Sequence, residues 1–189
     1  MTTPESQADD FRSNLKILVT TEQIQKRVKE LGRQISEDYK GKTILAVSVL
    51  ENGFMFAADL VRTLEGPVVC QFVKPEQNEQ GNTVSIFFTP ELDVKGQHVV
   101  LIEVLVQSGV TSEFLMRNLL ARGAASVKLV TFLDKQSERR VSLQPDYFGF
   151  LIDESYVVGY GLGAPQVGRN LPYIACTAQR PAMTASTRS

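Results

Sequence analysis

The residues of this chain best suited to chemistry lie in one short loop, Val106-Gln107-Ser108-Gly109-Val110-Thr111. Small and hydroxyl side chains leave backbone N–H groups accessible. A loop of this kind at the start of a helix gathers those donors, and the positive end of the helix dipole, around an anion such as a phosphate. The flanking stretches suit that geometry. Val99, Val100, Leu101, Ile102, Val104 and Leu105 form an apolar run rich in β-branched types, as in a strand buried on both faces of a parallel sheet. Beyond the loop, Phe114, Leu115, Leu119 and Leu120 recur at helical spacing and are expected to share one packed side. A plain strand–helix connection has the same spacing, so spacing alone leaves both roles open.

Other reactive types are sparse. The single histidine, His98, rules out His-rich metal sites and Cys-plus-His zinc clusters, and it is expected at the surface in a polar turn. The two cysteines, Cys70 and Cys176, sit in apolar strand-like contexts and read as small buried hydrophobes rather than a disulfide. A net charge of −1 gives no electrostatic case for nucleic acid or an anionic membrane, and Arg139-Arg140 is too small a patch to change that. No apolar run approaches the ~20 residues needed to cross a bilayer, and the polar, acidic MTTPESQADD start has no leader character.

The remaining elements follow from pattern. Leu15–Val19 reads as a short strand. Thr20 and Gln23 have capping-box spacing before a helix over 21–39 that carries Ile24, Val28, Leu31 and Ile35. Thr43–Leu50 is a buried strand, Phe54–Leu64 a helix and Pro67–Val73 a strand. Lys74–Thr83 is predicted to be a mobile polar loop, and Val84–Phe88 a returning strand. Gly123 suits a left-handed helix cap. Val127–Leu133, Tyr147–Leu151, Tyr156–Tyr160 and Pro172–Thr177 complete the strands, with a charged loop at Asp134–Arg140. The expected organisation is a flexible segment 1–13, one domain over 14–177 and a flexible tail 178–189. Strands alternating with helices give an α/β fold, a doubly wound parallel sheet with ligands at the carboxyl ends of its strands.

Five segments, KELGRQISEDY, GFMFAADL, VLIE…SGVT, FLDK and YVVGYG, occur in an order and spacing that resembles the hypoxanthine-guanine phosphoribosyltransferases of purine salvage, from about Ile17 to Ile174. The resemblance implies a type I phosphoribosyltransferase-like fold: a central, mostly parallel sheet flanked by helices, with a small hood formed by the chain ends. It implies transfer of ribose 5-phosphate from phosphoribosyl pyrophosphate to a 6-oxopurine with Mg²⁺, a cytoplasmic location, and assembly into dimers or tetramers.

By the same resemblance, Lys135 reads the purine 6-oxygen, Tyr156 stacks on the base and the Val157 backbone addresses its edge. Ser108, Gly109, Val110 and Thr111 wrap the 5′-phosphate, Glu103 faces the ribose, and Arg169 lies near pyrophosphate. Taken singly, Lys135 also reads as a solvated loop lysine and Tyr156 as core. The reaction end departs from the family pattern. Val104 stands where a second ribose carboxylate is expected, and Gln107 where an Asp faces the purine imidazole. Glu51 stands where a cation begins the pyrophosphate loop, and Gly163 replaces a metal-binding Asp. A Gln amide hydrogen-bonds but carries no proton at neutral pH. The implied protein therefore binds a purine or its monophosphate, transfers weakly or not at all, and has lost ligands for Mg²⁺. The alternatives are an active transferase in which Asp134, Asp153 or Glu154 supplies the acid, and, less favoured, a nucleic-acid-binding regulator.

Overall fold

The structure is a computed structural model describing residues 14–77, 83–88, 92–154, 156–163 and 168–176. The expected flexible ends, 1–13 and 178–189, lie outside those residues. So does 78–82, the middle of the expected polar loop. The described residues divide into two compact units, Gln25–Asp153 and the two ends, within 14–24 and 154–176.

The larger unit is built on a six-stranded sheet. Its strands are β2 (Ile44–Val49), β3 (Val68–Gln77), β4 (Thr83–Phe88), β5 (His98–Val106), β6 (Ser126–Asp134) and β7 (Tyr147–Leu151). They lie in the order β4-β3-β2-β5-β6-β7; β3, β2, β5, β6 and β7 run parallel, and β4 returns antiparallel on β3. The apolar runs explain this centre, because β2 and β5 are buried on both faces and so cannot sit at an edge. Leu45, Val47, Val99, Leu101 and Leu129 form one core face with Leu115 and Leu119 of α3 (Val110–Ala121). On the other face the Phe56 ring of α2 (Phe54–Val61) meets Phe132 at 5.1 Å, and Phe132 meets Phe150 edge-on at 5.5 Å.

The first helix, α1 (Thr21–Asp38), buries Val28, Leu31 and Ile35 and sends Arg27 to the carbonyls of Phe148 and Gly149. Its last turn joins a polar knot at the amino-terminal ends of the strands. Asp38 Oδ2 accepts from Lys128 Nζ at 2.8 Å and from the Tyr147 hydroxyl at 2.5 Å, and Lys128 lies over the Tyr39 and Tyr147 rings. The Lys128 hydrogen bond holds the Asp38 carboxyl below its usual range, and burial, reinforced by Asp38, pushes the Tyr147 phenol up.

The smaller unit is an antiparallel sheet of β1 (Lys16–Val19), β9 (Ile174–Cys176) and β8 (Val157–Val158), in the order β1-β9-β8. The chain ends thus form their own small sheet, as expected. The capping box is present too: the Thr20 N–H donates to Gln23 Oε1 at 2.8 Å, and the Gln23 N–H donates to Thr20 Oγ1 at 3.3 Å. Val158, Leu171 and Ala175 form its core, with Tyr156 packed against them.

Several local expectations are corrected. The strand β3 continues through Lys74–Gln77 instead of turning into loop, because β4 pairs with it from Val73↔Phe88 to Gln77↔Thr83 and the ladder overrides polar composition. His98 opens β5, half-buried, with Nδ1 2.9 Å from Ser126 Oγ and its ring edge-on to Tyr39. Cys70 is exposed on β3 and Cys176 half-buried. On α3, Ser112, Leu115 and Leu119 face the core, whereas Phe114 and Leu120 are each 49% exposed; the packed stripe is narrower than the apolar pattern. Asp134 and Lys135, expected in a solvated loop, are buried at the end of β6.

Candidate functional site

Parallel strands deliver their carboxyl ends to one edge, and in the larger unit three connections meet the purpose of a ligand site there: those after β2, β5 and β6. The connection after β5 is the predicted anion loop. Gly109 has φ 76° and is buried, and it caps α3 directly. A Cβ there would come within 3.0 Å of Arg139 Cδ and of Val141 Cγ2, so both backbone shape and space call for glycine. The Val110 N–H points toward Ser108 Oγ at 3.4 Å. Gln107 and Val110 are exposed, and Ser108 and Thr111 half-buried. The first turn of a twelve-residue helix therefore starts beside small side chains, where its N–H groups point out of the helix end.

The segment after β6 is stitched to this loop by backbone. The Lys135 N–H donates to the Val106 carbonyl and the Arg140 N–H to the Ser108 carbonyl, both at 2.9 Å. A 3₁₀ turn at Gln136–Glu138 lets Lys135 Nζ meet Glu138 Oε1 at 2.6 Å, with the lysine only 3% exposed. Asp134 is held by the Arg139 guanidinium and by Gln136 Nε2 at 3.1 Å. A cavity of about 230 Å³ opens here, with Gln136, Arg139, Val141 and Leu143 among its lining residues.

Glu103 and Val104 lie side by side in β5, both buried. The Glu103 carboxyl turns to the Ser112 hydroxyl on the first turn of α3, and Oε1 has no hydrogen-bond partner. Burial pushes its pKa up to about 7, against the opposing pull of the Ser112 hydrogen bond and the Arg139 charge. After β2, Glu51 is exposed and forms an ion pair with Lys74 at 2.9 Å, and the Leu50–Glu51 peptide is cis.

The structure thus brings Glu103, Gln107, Ser108, Gly109, Val110, Thr111 and Lys135 to the same strand ends. The other candidates belong to the smaller unit. Tyr156 packs on its core, Val157 is buried in β8, and Arg169 Nε donates to the Gly163 carbonyl at 3.3 Å. Of the alternative acids, Asp134 is buried, Asp153 exposed and Glu154 half-buried. Ser112 and Arg139 were not legible as site residues. Ser112 carries no signal beyond a polar position in a helical stretch, and the Asp134–Arg139 pair is closed by a turn whose geometry the sequence does not signal.

The phosphoribosyl transferase domain family matches residues 14–164. The hypoxanthine-guanine phosphoribosyltransferase of Bacillus subtilis is 36% identical over 165 residues, covering 84% of this chain and 91% of that protein. A hypoxanthine-guanine phosphoribosyltransferase from Bacillus anthracis superposes with a TM-score of 0.80 at 33% identity, covering 86% of this chain and 97% of that one. A Trypanosoma cruzi hypoxanthine phosphoribosyltransferase variant complexed with its product IMP gives 0.79 at 34% identity, covering 86% and 83%. With a parallel sheet, a separate small sheet from the chain ends, and a glycine-capped loop opening α3, the chain belongs to the hypoxanthine-guanine phosphoribosyltransferase family.

Proposed function

We propose that this chain binds a 6-oxopurine or its 5′-monophosphate and is a weak transferase or none. The observation that carries the reading is a contrast within one strand end. The loop Ser108–Thr111 has a left-handed glycine at a helix start, which suits an anion, while the neighbouring acid, Glu103, is buried and turned to Ser112. A ribose or metal contact needs an accessible carboxylate. Val104 beside it offers none, and Gln107 cannot take a proton from the base; loss of a general acid/base typically costs about 10²–10⁴ in rate. Lys135 is set for a carbonyl oxygen, with exposed Glu138 as the partner a base would replace. Tyr156, Val157 and Arg169 are assigned to the base and the phosphate groups by the family pattern.

Mg²⁺ would supply charge neutralisation to a pyrophosphate leaving group and needs hard oxygen ligands. The described residues do not fit it. Asp134 is locked to Arg139 and Glu103 is inward-facing, so neither offers the accessible carboxylate that Mg²⁺ uses beside substrate phosphates.

Calorimetry with IMP, GMP and hypoxanthine, and with phosphoribosyl pyrophosphate with and without Mg²⁺, tests the proposal. Binding of the monophosphates without Mg²⁺-dependent binding of phosphoribosyl pyrophosphate is expected; tight Mg²⁺-dependent donor binding overturns it. One observation favours an active, remodelled transferase. The Glu51 charge is offset by Lys74, which lessens its repulsion of a polyanion. A sensitive assay for IMP or GMP formation decides between the two. Self-assembly and a cytoplasmic location belong to the same proposal and rest on family likeness; no helix among the described residues is long and apolar enough to cross a membrane.

A further inference from the structure

Arg139 has no part in the family pattern set out above, yet its environment is unlike that of a surface arginine. Its side chain is 13% exposed, in a segment where Gln136, Glu138 and Arg140 face solvent. Burying a guanidinium is unfavourable unless it is paired, and Asp134, itself wholly buried, supplies the pair. The other edge of the guanidinium lies on the anion loop. Nη1 sits 3.1 Å and Cδ 3.0 Å from the position a Cβ would take on Gly109, and Nη1 is buried with no hydrogen-bond partner. The backbone beside it bonds to the same loop through Arg140 N–H and the Ser108 carbonyl at 2.9 Å.

We propose that Arg139, fixed by Asp134, is a positioning residue: a wedge against Gly109 that holds Ser108–Thr111 in its anion-binding shape and so sets the preference for a 5′-monophosphate over the bare base. The planar guanidinium is what the role requires. It engages Asp134 through Nη2 while Nη1 and Cδ reach the space where Gly109 has no side chain, which a lysine ammonium cannot do. The loop's N–H groups bind an anion only when they converge. Their convergence depends on the left-handed turn at Gly109, and the Arg139 and Val141 side chains occupy the space beside that turn. The inference rests on the reading that this loop receives the ligand's phosphate.

Calorimetry of the wild type, Arg139→Ala and Arg139→Lys with IMP and with hypoxanthine tests it. Both variants are expected to weaken IMP by about tenfold or more, the size of one charge-assisted hydrogen bond, while hypoxanthine changes by less than about twofold. Equal weakening of both ligands marks a merely structural role and overturns the proposal, as does unchanged IMP affinity. A double-mutant cycle with Gly109→Ala, read from urea midpoints without ligand, tests the wedge separately. The added methyl should destabilise the wild type more than the Arg139→Ala background, and strict additivity overturns the proposal. A wild type that binds neither compound removes the functional reading, and the unliganded cycle still decides the wedge.

Discussion

Glu103 offers the most quantitative test of the site's electrostatics. In the unfolded chain its carboxyl titrates near 4.5; in the fold it titrates near 7, because burial penalises the charged form more than Ser112 and Arg139 favour it. The folded state therefore holds a proton that the unfolded state releases between those values. A raised carboxyl pKa contributes stability that is fully present below about pH 4.5 and is lost as pH climbs through 7. The span between the two values corresponds to about 3 kcal/mol. Glu103→Gln keeps an acceptor for the Ser112 hydroxyl and cannot ionise, so its stability carries none of this dependence. Urea denaturation of both proteins from pH 4 to pH 8 isolates the effect, since every other titrating group cancels in the difference. The variant should gain on the wild type steadily, by about 3 kcal/mol across the range. Parallel curves, or a wild type that gains on the variant as pH rises, would refute the reasoning.

Further outcomes follow from other parts of the molecule. Thr20→Ala removes one half of the capping box and should cost about 1 kcal/mol in urea denaturation. Phe132→Ala empties the space between Phe56 and Phe150 and should cost about 3–5 kcal/mol, with loss of near-ultraviolet dichroism from the clustered rings. Gly159→Ala places a methyl 1.8 Å from the Tyr173 carbonyl oxygen at a residue with φ 99°; hydrogen exchange should show β8 and β9 losing protection, and wild-type protection would count against the account. Ultraviolet titration of the wild type minus Tyr147→Phe should show Tyr147 ionising above pH 10, as burial and Asp38 require.

The sequence made the frame legible wherever one interaction dominates. Buried parallel strands must be apolar on both faces, so β2 and β5 announced themselves, and the Thr20–Gln23 spacing marked the start of α1 because a capping box needs only local geometry. The extension of β3 through Lys74–Gln77 was not legible, since it depends on hydrogen bonds to β4 and not on its own residues. The surplus apolar residues of α3 misled for a related reason: a helix shows its pattern all round, but only contact with the sheet decides that Leu115 and Leu119 go in while Phe114 and Leu120 stay out. At the site, Ser108–Thr111 could be read from residue type. The pairing of Asp134 with Arg139 and the inward turn of Glu103 arise from tertiary closeness, which linear spacing in a loop does not encode.

The knot of Asp38, Lys128 and Tyr147 stands at the opposite end of the sheet from the ligand loops. Along β6, the strand between them, Lys128 and Asp134 are separated by about 20 Å. Perturbations so far apart add independently. Residues at the carboxyl edge of the sheet can therefore change without loosening the anchorage of the scaffold at the other. The two ends of one strand are thus open to separate tuning.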